Sequence, residues 1–445
     1  MRIALCIGGA VVLVLAAWAA WPAGVREPPA PAAAASRTVE FEGVASCAAA
    51  ACHGNGNIGS PGGEWNTWAH LDPHARAYDT LLSDRSRAIQ RRLHPEQPDP
   101  RPEANAVCLN CHVQPGIMEA SRSPRFALAD GVGCESCHGP AGKWLLAHTQ
   151  PGWQRSPASG MVDLRDLRVR AEACTTCHIG AGDVQVNHDL IAAGHPRLRF
   201  EFAAYLANLP AHWSTAADRQ RHPDSEARAW LIGQGASAAA ALRLLAHRAN
   251  TATNIWPEFA EYDCYACHHD LAAPSWRLTA APADGKPGRL VLNGWYYDAL
   301  AAVTKAVDLA PLQQVMGSSY PQRQRVAELA GQQLRKLEAG QASLAKGLVN
   351  RGGLLADLAA LEQRPGPPSW DRDAQAYLGI AAVTANEDLH PNNRSAAAAL
   401  RTVLQEAFPA GADGTLASPR GYDPAAVRRA WQELRARLKP AAPEK

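Results

Sequence analysis

The 445-residue chain has almost no net charge: 44 Lys and Arg stand against 42 Asp and Glu, giving +2 with histidine neutral. It has neither a basic excess nor a basic stripe, which argues against nucleic acid as a partner. Methionine is scarce, at four residues including Met1. Beyond about residue 290 there is no cysteine and a single histidine, His390. Apolar residues are not in short supply, at 47%, so disorder throughout the chain is excluded. At roughly 150 residues per domain the length allows two or three domains. The informative abundances are 11 Cys and 16 His. Ten of those cysteines form five close pairs, each followed at once by a histidine.

Ile3 to Trp21 is an apolar run of 19 residues without a charge, preceded by Met1 and Arg2. Residues 1–24 read as a signal peptide cleaved near Ala17-Trp18-Ala19 or as an uncleaved membrane anchor, since about 20 residues span a bilayer. Both readings export the rest of the chain, to a periplasm or an equivalent compartment. Cys6 lies inside this segment. Residues 25–40, rich in proline and alanine, read as an extended linker.

Four of the pairs share one spacing: Cys108-Leu109-Asn110-Cys111-His112, Cys134-Glu135-Ser136-Cys137-His138, Cys174-Thr175-Thr176-Cys177-His178 and Cys264-Tyr265-Ala266-Cys267-His268. CxxCH is the attachment signature of c-type haem. Thiols one helical turn apart lie on one face and can add to the two vinyl groups of one porphyrin, and the following histidine comes under the iron. Zinc sites, redox dithiols and structural disulfides would not require a histidine after every second cysteine. The fifth pair, Cys47 and Cys52 with His53, has four residues between its thiols. At that spacing a regular helix cannot present both, so the segment must bulge or unwind. A disulfide or two free thiols is the competing reading there. Haem c is thus expected at five sites, with His53, His112, His138, His178 and His268 as proximal ligands.

Eleven histidines remain: His70, His74, His94, His148, His188, His195, His212, His222, His247, His269 and His390. Met118, Met161 and Met316 cannot serve five irons, so six-coordinate haems must be mostly bis-histidine. The distal candidates are His74, His148 and His195, followed by His188, His70 and His247. His94 and His222 precede proline in charged surroundings, and His390 lies far from every motif.

Residues from about 44 to 271 resemble exported multihaem cytochromes of the cytochrome c five-five-four type. The resemblance is carried by Ser46-Cys47 through His53, by a tryptophan leading to Asp72-Pro73-His74-Ala75, and by Cys108 to His112. Gly131-Val132-Gly133-Cys134-Glu135-Ser136-Cys137-His138-Gly139-Pro140 is the most specific part. The resemblance implies a tetrahaem electron carrier in which His74 and His148 are distal iron ligands. This chain departs from the pattern in its wider first site, in Asp72 where the family commonly has serine, and in a fifth motif.

The expected fold is mainly α: helices and long loops around a haem stack in residues 41–280, then an all-α bundle in 281–445. Gly- and Pro-rich stretches at 54–63 and 95–102 suit irregular structure. In the bundle, Tyr296, Leu300, Val303 and Val307 are expected on one helical face, and Ala330, Leu334, Leu337, Leu344 and Leu348 on another. Asp423-Pro424 opens a last helix with Val427, Trp431, Leu434 and Leu438 on one side. A break between helices is expected at Pro365 to Pro368. The function these features favour is electron transfer through about five mostly bis-histidine haems, with redox proteins as donor and acceptor. Association with a membrane or a larger redox complex is open. The competing reading is an oxidoreductase with one five-coordinate haem acting on a small nitrogen or sulfur species. Histidine at every motif weighs against lysine-ligated nitrite reduction.

Overall fold

The computed structural model describes residues 40–153, 160–268, 290–304, 306–346, 350–363, 368–385, 391–407 and 421–437. The N-terminal segment, His269, the division near residue 280, Leu348, the break at 365–367, His390 and Leu438 lie outside the described residues.

The chain is mainly helical. Among the described residues the only sheet is a parallel pair, Glu40–Phe41 (β1) against Ser121–Arg122 (β2), with Glu40 opposite Ser121. The first part is built from short helices joined by long loops: α1 Glu64–Leu71, α2 Asp84–Leu93, α3 Ala106–His112, α4 Cys134–His138, α5 Leu167–His178, α6 His188–Ala192, α7 Phe202–Asn208 and α8 Thr215–Arg221. The stretches 54–63 and 95–102 are turns and loops, with a single 3-10 turn beginning at Pro102. Many of these short helices begin at a side-chain cap. Ser83, Asn105, Asp166 and Asn187 each accept a hydrogen bond from a backbone N–H of the first turn, which offsets an otherwise unpaired donor.

Helix α9, Ser225–Asn250, joins the two parts. Its alanine-rich sequence favours helix, and small side chains let neighbours approach on almost every side. It is long and apolar enough to cross a membrane, yet most of that length is buried inside the protein. It packs on α5 and α7 on one side and, most extensively, on α12, Arg323–Lys346, on the other. Between them lie α10, Asp298–Val303, and α11, Ala310–Met316. The expected Tyr296–Val307 helix is shorter than its apolar spacing suggested. Thr304 turns extended (φ −137°, ψ 157°) and ends it, although Leu300 and Val307 are both buried. Ala330 and Leu337 face the core as expected.

Helices α13 (Arg351–Ala360), α14 (Trp370–Val383), α15 (Pro391–Glu406) and α16 (Pro424–Arg437) form a second apolar cluster around Trp230 of α9, with Leu358, Ile380, Val427, Trp431 and Leu434. Asp423 caps α16 by accepting from the Ala425 N–H at 2.8 Å. Buried Asp373 ties α14 to α16, accepting from Tyr422 Oη at 2.5 Å and Trp431 Nε1 at 3.2 Å. At Gly379 a Cβ would stand 2.8 Å from the Trp230 ring and 2.9 Å from Leu358. Gly379→Ala is therefore expected to destabilise by roughly 1–3 kcal/mol through overpacking, despite alanine's better helix propensity. Urea unfolding of the haem-loaded protein measures the change, and a neutral or stabilising effect would contradict the packing described.

Candidate haem centres

Three regular motifs lie on helices: Cys108 and Cys111 on α3, Cys134 and Cys137 on α4, Cys174 and Cys177 on α5. In each, the thiols are three residues apart and share a face. The Cys264 motif lies on a 3-10 turn, Cys264–Ala266, capped by Asp263. Its His268 N–H still donates to the Cys264 carbonyl at 2.8 Å, so the histidine closes one helical turn there too. The Cys47 motif is unwound, as its spacing requires. The Cys52 N–H bonds Ala49 O at 2.8 Å, and the His53 N–H reaches back to Cys47 O at 3.3 Å.

The ten described cysteines form no disulfide. Their motifs are neighbours in space, but not in chain order. The Cys47 and Cys134 thiols are close enough to shift one another's ionisation, and so are those of Cys111 and Cys177. Cys137 is close enough to Cys174 for the two to interact electrostatically. The motifs of His138 and His178 thus both lie beside that of His112: Ser136 Oγ donates to Val113 O at 3.2 Å, and Cys177 Sγ lies 3.8 Å from Asn110 O.

Four histidines of the motifs each face a second imidazole. Ring centres are 6.2 Å apart for His53 and His148, 6.3 Å for His138 and His212, 6.0 Å for His178 and His74, and 6.5 Å for His268 and His188. A metal with imidazole nitrogens about 2 Å away on opposite sides needs roughly 6 Å between ring centres. His195 interacts electrostatically with His112.

The outer nitrogens of five of these imidazoles are held by acceptors, whereas the buried Nδ1 atoms of His138 and His212 have no hydrogen-bond partner. His53 Nδ1 is 3.0 Å from Glu64 Oε2, and His74 Nδ1 is 2.9 Å from Asp72 Oδ1. His112 Nδ1 meets Ala77 O at 2.8 Å, His148 Nδ1 meets Leu145 O at 2.6 Å, and His195 Nδ1 meets Pro196 O at 2.8 Å. An acceptor at Nδ1 fixes the tautomer that leaves Nε2 free to bind a metal. Burial holds His138 and His178 down at about 4, so both imidazoles are neutral, the form that ligates. Asp72 also caps the turn carrying His74 by accepting its backbone N–H at 2.9 Å.

Two thiols on a turn, an adjacent imidazole and a second imidazole opposite make up the donor set of a bis-histidine haem c, and these residues fit that group. Among the described residues, no three His, Cys, Asp or Glu side chains converge as an ion site. The other expected distal candidates have different surroundings. His70 is exposed, and His247 bonds Asp183 through Nε2, the nitrogen a ligand would need. His94 lies beside Glu96 and His222 is exposed. His212, which faces His138, carries no sequence signal. It sits in Leu209-Pro210-Ala211-His212-Trp213, outside any motif, and only the tertiary fold brings it to the site.

The pieces that carry the sequence resemblance meet in one contact. Trp68 Nε1 donates to Val132 O at 3.0 Å, and the Val132 N–H donates to His74 O at 3.0 Å. Gly131, at φ +65°, would place a Cβ 2.7 Å from His74 O, so only glycine allows this approach. No curated protein and no solved structure matches the chain. Residues 46–139 match the family model described as cytochrome c554 and c-prime, a narrower span than the motif resemblance that includes the first three cysteine motifs. That family implies haem c and redox partners, and the segment 46–139 is thus similar to c-type cytochromes of the c554 type.

Proposed function

We propose that the chain is an exported electron-transfer cytochrome carrying five haems c, at the motifs ending in His53, His112, His138, His178 and His268. When bound, each haem iron supplies a one-electron ferric–ferrous couple whose potential is set by its axial ligands. The chain's own part is to hold each group through two thiols and a proximal imidazole and to offer a second imidazole from elsewhere in the fold. His148, His212 and His74 take that second position opposite His53, His138 and His178. The single observation that carries the reading is the repeated gap of about 6 Å between motif and non-motif imidazoles, the space one metal with two imidazole bonds requires. Disulfides between neighbouring motifs would leave Cys52 and Cys108 idle and would give the facing imidazoles no role.

The cysteine motifs and the apolar run Ile3–Trp21 support export, with the N-terminal segment either cleaved or kept as an anchor. Electron transfer is preferred to catalysis because four of the five motif histidines face a second imidazole. The test is a haemochrome count combined with reductive titration of the purified protein. Five haems and five electrons per chain are expected. Four or fewer haems, or a reducible population smaller than the haem count, would overturn the proposal.

A further inference from the structure

Helix α6 with its two flanks has histidine at both ends and no cysteine. It begins at His188, with Asn187 Oδ1 accepting the Leu190 N–H at 2.9 Å. It ends in a tight reversal: the Gly194 N–H bonds Ile191 O at 2.9 Å, and the His195 N–H bonds Leu190 O at 3.0 Å. This pairing, with Gly194 at φ +118°, is a Schellman C-cap, and it fixes where His195 leaves the helix. Two arginines of α2 hold the same turn from outside. Arg92 donates to Ala193 O at 2.7 Å, and Arg85 to Gly194 O at 2.8 Å.

The two ends face different motifs. His188 stands 6.5 Å from His268 between ring centres, and its backbone N–H is held by Glu258 at 2.8 Å. His195, at the turn that Arg85 and Arg92 of α2 hold, is near enough to His112 for the two to interact electrostatically. Just beyond it, Arg197 donates to Ala260 O at 3.0 Å, to Tyr262 O at 2.9 Å and to Cys264 Sγ at 2.8 Å. One segment of chain, 187–197, is therefore stitched to α2 at one end and to the Cys264 motif and the loop before it at the other.

We propose that α6 is a ligand strap shared by two haem centres, with His188 as the second axial ligand opposite His268 and His195 as that opposite His112. The strap makes the fifth centre a neighbour of the His112 centre. Gly194 is a positioning residue, acting through His195. This rests on the five-haem reading above.

The test uses the full-length, haem-loaded protein with His188→Ala, His195→Ala and the double variant. Each single variant is expected to retain five haems and to bind one equivalent of carbon monoxide per chain after dithionite reduction, and the double variant two. His188→Met, which keeps a ligand and guards against loss of folding, should raise the midpoint potential of one centre while leaving the haem count unchanged. Gly194→Val should open the His112 centre in part and leave the His268 centre closed. A His188→Ala protein that holds five haems, binds no carbon monoxide and keeps its low-spin resonance spectrum unchanged would overturn the proposal. Absence of haem from the Cys264–Cys267 peptide of the unaltered protein would instead overturn the reading on which it rests.

Discussion

Replacing His212 by alanine is expected to leave five haems on the chain while the reduced protein gains about one equivalent of carbon monoxide binding. His212 faces His138 at 6.3 Å between ring centres, and no other described pair supplies a second imidazole there. Removing the side chain takes nothing from the covalent attachment, which belongs to Cys134 and Cys137. The effect should therefore separate cleanly: haem content constant, coordination number lowered at one centre, and one low-spin signal converted to high spin. His247→Ala serves as the control, because His247 binds Asp183 through Nε2 and should leave carbon monoxide binding at the background level. A His212→Ala protein that stays closed to carbon monoxide would remove His212 from the ligand set.

The largest expected loss of stability falls on Glu135, between the cysteines of the second regular motif. Its carboxylate is buried and accepts three backbone N–H groups: Glu42 at 2.9 Å, Gly43 at 2.8 Å and Ala141 at 2.6 Å. One side chain thereby joins the segment between β1 and the Cys47 motif to the turn after α4. Alanine would strand three donors, at roughly 1–3 kcal/mol each when buried. Glu135→Ala should therefore lose on the order of 3–6 kcal/mol, a large part of the ~5–15 kcal/mol that typically holds a domain folded. Glutamine keeps one carboxyl-type oxygen and should recover part of the loss. Denaturant unfolding of the two loaded variants checks this, and a change below about 0.5 kcal/mol for alanine would contradict the assigned role.

Covalent attachment explains why the motifs were legible in the sequence. Two thiols and a proximal imidazole must come from one short segment, so the spacing is written in consecutive residues, and even the unwound turn at Cys47–Cys52 followed from its count. A distal ligand has no such constraint. His74 was legible through Asp72-Pro73 and its tryptophan, whereas His212 meets His138 only because the loop after α7 folds back across the motif. His70, ranked behind His74 in the sequence, lies in the last turn of α1 and is exposed.

The helical part was legible as helix but not as support. Trp295 Nε1 bonds Phe200 O at 2.9 Å, Tyr296 Oη bonds Leu198 O at 3.1 Å, and Tyr262 Oη bonds Met316 O at 3.1 Å. These contacts hold the chain just after His195 and the loop before Cys264. Apolar periodicity reports that a helix has a buried face, but not what that face carries. The same limit applies at Thr304, where the spacing of Leu300 and Val307 continued past the end of the helix.

The most direct test of the central claim is a carbon monoxide difference spectrum of the dithionite-reduced, full-length protein, normalised to haem per chain. Five haems with no carbon monoxide bound is the predicted result, because every motif histidine is assigned a second imidazole: His148, His195, His212, His74 and His188. Binding near one equivalent would contradict it, leaving one of those five unligated and an open iron available for catalysis.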